Sequence, residues 1–170
     1  MTTRSTANRH GSAVVTTPSD TEILITRVFD APADVLFRAY TTPELVKRWW
    51  GFGASEWKVC EVDLRVGGSW RYVIGEEGFD VGFHGTFEEI DAPGRLVHTE
   101  VYEGFPGATP DNDGGARVIV TFDEVDGVTT MSSLVQHQLK EHRDAHLESG
   151  MEAGMQVSYD RMEDLVRQAS

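Results

Sequence analysis

Hydrophobic and polar positions along the chain change period three times, and each change predicts a different kind of element. The run EILITRVF, Glu22 to Phe29, is β-branched and aromatic at a strand's length and stops at Asp30-Ala31-Pro32. Pro32 suits the first turn of a helix, where its missing N–H costs nothing. Val35, Leu36, Ala39 and Tyr40 then recur as one apolar face, predicting a first short helix. Thr41 and Thr42 interrupt it; Thr42 is placed to cap a second helix with Pro43 at its first position and Glu44 near its positive end. That helix carries Leu45, Val46, Trp49 and Trp50.

After the turn Gly51-Phe52-Gly53 the period becomes alternation, with turn signals at Gly67-Gly68, Gly75 to Gly78, Asp91 to Gly94 and Asp126-Gly127. The pattern predicts an antiparallel meander with strands over Glu56 to Leu64, Ser69 to Ile74, Asp80 to Ile90, Arg95 to Tyr102, Ala116 to Glu124 and Val128 to His137. Its one long connection, Glu103 to Gly115, is rich in Gly, Pro and Asp and reads as a mobile loop. From about Leu139 the period is helical again, with Leu147, Met151, Met155, Met162, Leu165 and Ala169 on one arc. Gly150 and Gly154 lie at the edge of that arc, at a cost of about 1 kcal/mol each inside a helix. Either the backbone there approaches the sheet closely or space is left for a ligand. Residues 1–20 hold only Val14 and Val15 as apolar bulk and read as a disordered tail, leaving residues 21–170 as a single domain.

Trp49-Trp50-Gly51 is unusual within this pattern. Neighbours on a helix point about 100° apart, so one indole can enter the main core while the other needs a second apolar surface. A cavity wall would supply it.

Charge narrows the classes of partner. There are 28 acidic against 15 basic residues, a net charge of -13, with no compensating basic run, so nucleic acid and anionic membrane would be repelled. The acidity leaves a homodimer or a basic protein partner open. Cys60 is alone, no apolar run has the length of a transmembrane helix, and no signal-peptide stretch opens the chain, so cytoplasm is the expected compartment.

Several separated motifs occur in an ordered series: RVFDAP (Arg27 to Pro32), TTPELVKRWWG (Thr41 to Gly51), DLRVGG (Asp63 to Gly68), HGTFEEI (His84 to Ile90), LVHTE (Leu96 to Glu100) and GMEAGM (Gly150 to Met155). In these residues the chain resembles the AHSA1-like branch of the START/Bet v 1-like, or SRPBCC, superfamily, from about Glu22 onward. The resemblance implies an α+β helix-grip fold: a curved antiparallel β-sheet wrapped around a long C-terminal α-helix, two short helices after the first strand, and a largely apolar cavity between sheet and helix. The eukaryotic co-chaperone for which the branch is named has an additional N-terminal domain that makes much of its chaperone contact. This chain has only a short polar tail there, so the resemblance does not carry Hsp90 activation over to it. The family's Trp-Trp-Gly is often followed by proline, where this chain has Phe52.

Alternation nominates the lining. Trp70, Tyr72 and Ile74 share a face opposite Arg71, and Phe83, Gly85 and Phe87 oppose His84 and Glu88. With Trp49, Trp50, Phe52, Tyr102, Met151 and Met155 they would bind a small hydrophobic or aromatic molecule, a lipid- or polyketide-like ligand carried or sensed. The alternative is a filled core. Acid–base chemistry of a cyclase- or hydrolase-like kind would need an ionisable group facing the cavity. His98 and Glu100, projecting side by side, are the best pair, with His137 a further candidate; the competing placement is solvent exposure on the convex face. Asp63 and Arg65 read as a surface ion pair, with Val62 and Leu64 inward. His142 and His146 have the one-turn spacing of zinc ligands, but the glutamate of a zinc-protease helix and a third ligand are missing, so no metal is expected. Cys60 reads as a small apolar strand residue. Without GxGxxG, phosphate loop, nucleophile elbow or CxxC, no cofactor is expected. A third reading is a chaperone-linked or protein-interaction module using the acidic surface.

Overall fold

The computed structural model describes residues 9–51, 56–76, 78–104 and 115–169. Phe52 and most of the Glu103 to Gly115 connection therefore lie outside the described residues. The strands are β1 (Val14–Thr16), β2 (Glu22–Phe29), β3 (Glu56–Val62), β4 (Ser69–Glu76), β5 (Phe79–Asp91), β6 (Arg95–Gly104), β7 (Ala116–Val125) and β8 (Val128–Gln136). They form one sheet in the order β1-β2-β8-β7-β6-β5-β4-β3, antiparallel throughout, so β2 pairs with the last strand of the meander. Register shifts between Trp57 and Val59 and between Phe87 and Glu89 insert bulges, which bend the strands and curl the sheet.

The helices are α1 (Ala33–Thr41), α2 (Pro43–Trp49), α3 (Lys140–Glu148) and α4 (Met151–Ala169). α4 lies in the concave face, where Tyr159, Met162, Leu165 and Val166 join sheet residues in one core; α1 and α2 pack against it. The architecture is the α+β helix grip. At the head of α1 the Ala33 N–H donates to the Glu124 carboxylate at 2.8 Å. Thr42 does occupy the N-cap position of α2, but its carbonyl, not its hydroxyl, receives the Leu45 and Val46 N–H groups at 2.9 Å. No helix among the described residues is long and apolar enough to cross a membrane.

Three expectations are corrected. The C-terminal helical region is two helices: Gly150 takes φ +83°, a left-handed conformation that stops α3, and Ser149 closes the turn through its N–H and hydroxyl to the His146 carbonyl. Gly150 is thus a helix terminator and avoids the interior cost. The residues 9–20 part of the expected tail is held in place. β1 pairs with β2, the Gln156 side-chain amide bonds both the N–H and the carbonyl of Ala13 at 3.2 and 2.8 Å, and Gly11 N–H donates to Asp160 at 2.8 Å. Backbone hydrogen bonds supply here what apolar side chains could not. Leu64 lies past the end of β3 and is 43% exposed, because the Asp63 to Gly68 turn breaks the alternation that would have buried it. The Asp63–Arg65 ion pair is present on the surface at 2.8 Å.

Beneath the C-terminal half of α4 lies a buried ionic cluster. Arg27 is in phase with Ile23, Ile25 and Phe29 on the inner face of β2. Its guanidinium meets Asp160 at 3.2 Å and Glu163 at 3.4 Å, donates to the Val28 carbonyl at 2.7 Å and rests 4.6 Å from the Phe29 ring centre. Glu163 also meets Arg167 at 3.5 Å and accepts the Asp30 N–H at 3.3 Å, and Asp30 in turn pairs with Arg9 and Arg167 at 3.0 and 2.8 Å. Burying these charges is tolerable because each has an opposite partner.

Candidate functional site

The two tryptophans separate because the helix ends between them. Trp49 closes α2 and is 3% exposed, its indole N–H donating to the Ala39 carbonyl at 2.8 Å. Trp50 is already extended (φ -79°, ψ 146°) and Gly51 follows at φ +86°, so the second ring swings toward the sheet. There it packs edge-on against Tyr72 and Phe83, with centroids 5.1 and 5.3 Å away, and against Trp57 at 5.6 Å. Trp49 belongs to the buried core and Trp50 packs on the sheet, and both border the space between them.

Between these rings, the first turns of α4 and the sheet is a cavity of about 190 Å³. α4 contributes Met151, Gly154, Met155, Ser158 and Tyr159, and β5 contributes Phe83. A smaller lobe of about 30 Å³ extends under Trp70, Tyr72 and Phe87. The two share Tyr40, Trp49, Trp50, His98 and Glu100. Of the nominated residues, Tyr102 lines neither; it backs Phe83 at a ring distance of 5.3 Å.

His98 and Glu100 face this space, not the convex surface. The outward placement fails because β6 is covered on this face by α1 and the aromatic wall. His98 is 5% exposed, its Nδ1 is 3.0 Å from the Thr99 carbonyl, and the same carbonyl accepts the Trp70 indole N–H at 3.1 Å. A carbonyl has no proton to give, so Nδ1 carries the hydrogen and Nε2 is the acceptor for the Tyr40 hydroxyl at 3.3 Å. Burial lowers the His98 pKa and holds the ring neutral, the Thr99 hydrogen bond opposing only in part. Burial likewise raises Tyr40 and Tyr72 well above the ordinary phenol value and Tyr159 to about 12, and the Glu100 charge adds to all three shifts. The Tyr159 shift is partly offset by its hydrogen bond with Ser133. These phenols are hydrogen-bonding groups, not acids, at neutral pH.

Gly85 leaves room for the Trp70 indole that lines the smaller lobe. A Cβ there would stand 1.9 Å from the Thr99 carbonyl oxygen and 2.6 Å from the Trp70 indole nitrogen. Only glycine lets that indole cross β5 to reach β6.

At the other margin His137 and His146 bring Nε2 and Nδ1 to 3.0 Å, and burial followed by the His137 interaction lowers the His146 pKa to about 4. Among the described residues, no three His, Cys, Asp or Glu side chains form a group that could hold a metal ion. Cys60 is half-buried 3.7 Å from the Pro43 carbonyl, with its thiol pushed up to about 11 by burial. Sequence reading missed Tyr159, Ser158 and Ser133 in the lining. The signal for Tyr159 was present, since it stands one turn after Met155 on the same helical face.

A protein from Rhodobacter sphaeroides shares the architecture with a TM-score of 0.81 at 24% identity, covering 93% of this chain and 99% of that one. Protein Ms6760 from Mycobacterium smegmatis gives 0.78 at 23% identity, over 91% and 96% of the two chains. Protein NE0264 from Nitrosomonas europaea gives 0.77 at 23%, over 90% and 98%. At these identities the likeness speaks for the fold alone. No curated protein matches the sequence. The family model described as activator of Hsp90 ATPase homolog 1-like protein matches residues 30–167, from the end of β2 through nearly all of α4, and the chain belongs to that family.

Proposed function

We propose that the protein binds a small hydrophobic or aromatic molecule in the space beneath Trp50 and the first turns of α4, as a carrier or sensor. The observation that carries this reading is the cavity of about 190 Å³ walled by aromatic rings and the Met151 and Met155 thioethers. An engineered apolar cavity of about 150 Å³ suffices for benzene. The space thus suits a single ring with a short substituent, and Ser133, Ser158 and the phenols offer hydrogen bonds to its polar end. Family membership agrees with the reading, since members commonly bind ligands. Titration of tryptophan fluorescence with single-ring aromatics, in the wild type and in Met155→Trp, tests it. Saturable binding abolished by the added indole is expected; binding unaffected by it would overturn the reading.

A second reading, cyclase- or hydrolase-like acid–base chemistry on an apolar substrate, is favoured by one observation: His98 and Glu100 line the same space. Turnover of a small aryl ester that falls in both His98→Gln and Glu100→Gln while ligand binding persists would support it. Equal turnover in all three proteins would dismiss it.

A further inference from the structure

We propose that residues 9–13 form a detachable strap along α4, and that its release loosens the helical roof of the cavity around Met155 and Tyr159. The inference adds regulation to the ligand-binding reading above and rests on it. From β1 back toward Arg9 the chain runs along α4, so that Ala13, Gly11 and His10 meet Gln156, Asp160 and Asp164 in turn. Those helix residues are spaced four apart and make one stripe. Met155 and Tyr159, which line the cavity, each precede an anchor by one position, so the strap grips the stripe beside the roof. The side-chain amide of Gln156 holds the strap by its backbone, accepting the Ala13 N–H at 3.2 Å and donating to the Ala13 carbonyl at 2.8 Å. Arg9 completes the seat with two hydrogen bonds of 3.0 Å to the Asp30 carboxylate.

The chemistry of these anchors lets them open. Where α2 meets α4 the contact is apolar, with the Trp49 ring centre 6.3 Å from that of Tyr159. The strap is held by polar bonds, and within residues 9–13 only Ala13 is buried apolar surface. The His10 and Asp164 side chains are 43% and 59% exposed, so water competes well for that pair. Release strands no acid in the interior, because Asp160 keeps Arg27 at 3.2 Å and Asp30 keeps Arg167 at 2.8 Å. Gln156 is the strap's first anchor after the helix break at Gly150, and losing it loosens the turns that carry Met151 and Met155. The pairing of β1 with β2 keeps a released strap near its seat, at an effective concentration that favours reclosure.

The test compares the full chain with a chain begun at Val14, which lacks the strap and keeps β1, and with Gln156→Ala, which keeps the strap and removes its backbone anchor. With no ligand added, amide hydrogen exchange over residues 151–160 should quicken about tenfold in the shortened chain and about threefold in Gln156→Ala, while β6 and β7 exchange as before. Benzyl alcohol, followed by tryptophan fluorescence, should dissociate faster by similar factors. Unchanged exchange over residues 151–160 in both variants overturns the strap. Quicker exchange with unchanged dissociation of benzyl alcohol overturns its coupling to the cavity. Failure of benzyl alcohol to bind the full chain counts against the ligand-binding reading alone; acrylamide quenching of the tryptophan emission then reports on the roof, and quenching no stronger in the variants than in the full chain overturns the coupling. If the shortened chain does not fold, Gln156→Ala decides the matter by the same readings.

Discussion

At its C-terminal half α4 presents Met162, Glu163 and Val166 to the sheet with no more than 1% of each exposed. Its first turns instead set Met151, Gly154 and Met155 beside a cavity of about 190 Å³. One helix and one sheet thus make a sealed end and an open end. The sealed end buries the charges of Arg27 and Glu163 against partly exposed Asp160 and Arg167, with Asp30 between, and Arg9 of the N-terminal segment is drawn into the same cluster. The open end sets neutral histidines and phenols, with Glu100, around a void. Empty space is a liability in a core, since its lining atoms lack contacts. Tight packing at one end offsets the unfilled space at the other, although Arg27 Nε, Glu163 Oε1 and Arg167 Nε of the cluster lack hydrogen-bond partners.

The largest expected effect comes from breaking the sealed end. Glu163→Leu leaves Arg27 with Asp160 alone beneath the helix and should cost about 3–5 kcal/mol in denaturant unfolding; a loss under about 1 kcal/mol would mean the cluster is not what holds this end. Next, equal truncations should have unequal costs. Met162→Ala should lose about 3 kcal/mol and Met155→Ala less than about 1 kcal/mol, because only the first opens a new hole. Similar losses would erase the distinction between the ends. Gly85→Ala should cost about 2 kcal/mol through its collision with the Thr99 carbonyl, and should shift the fluorescence of Trp70.

The smallest effect is an order of loosening on acidification. His146 has a folded pKa of about 4, below its ordinary 6.5, so its neutral form stabilises the fold above pH 6.5 and that contribution is lost as pH falls from 6.5 toward 4. His98, also lowered, acts in the same direction. Asp30 at the sealed end is held below its ordinary 3.8, chiefly by its hydrogen bond from Arg9, so its contribution is present above pH 3.8 and fades only as pH falls further. Hydrogen exchange followed from pH 7 to pH 4 should therefore show α3 and the start of α4 losing protection before the Asp30 neighbourhood does. The reverse order would contradict the pairing of neutral histidines with the open end.

Much of this was legible in the sequence where local pattern decides structure. The residues EILITRVF form β2 over the expected span, and α2 begins at Pro43 as its chemistry suggests. What escaped was decided by distant partners. Alternation alone places Arg27 inward with Ile25 and Phe29, but a charge in that phase reads as an error until Asp160 and Glu163 arrive from the far end of the chain. His98 and Glu100 were visible as a pair, yet whether their face was concave or convex depends on the curl of the sheet and on what α1 covers. Gly150 and Gly154 looked equivalent. Backbone conformation separates them, one ending a helix and the other lying buried beside the cavity within the next.

The main-chain oxygen of Thr99 orients the Trp70 indole and the His98 imidazole together. Every amino acid carries such an oxygen, so replacing the side chain at position 99 leaves this acceptor where it is. The orientation of two cavity groups is thereby shielded from point mutation at the residue that sets it, and becomes a heritable property of strand register. Diversification of this site would then proceed through the rings and the carboxylate, with their alignment conserved by default.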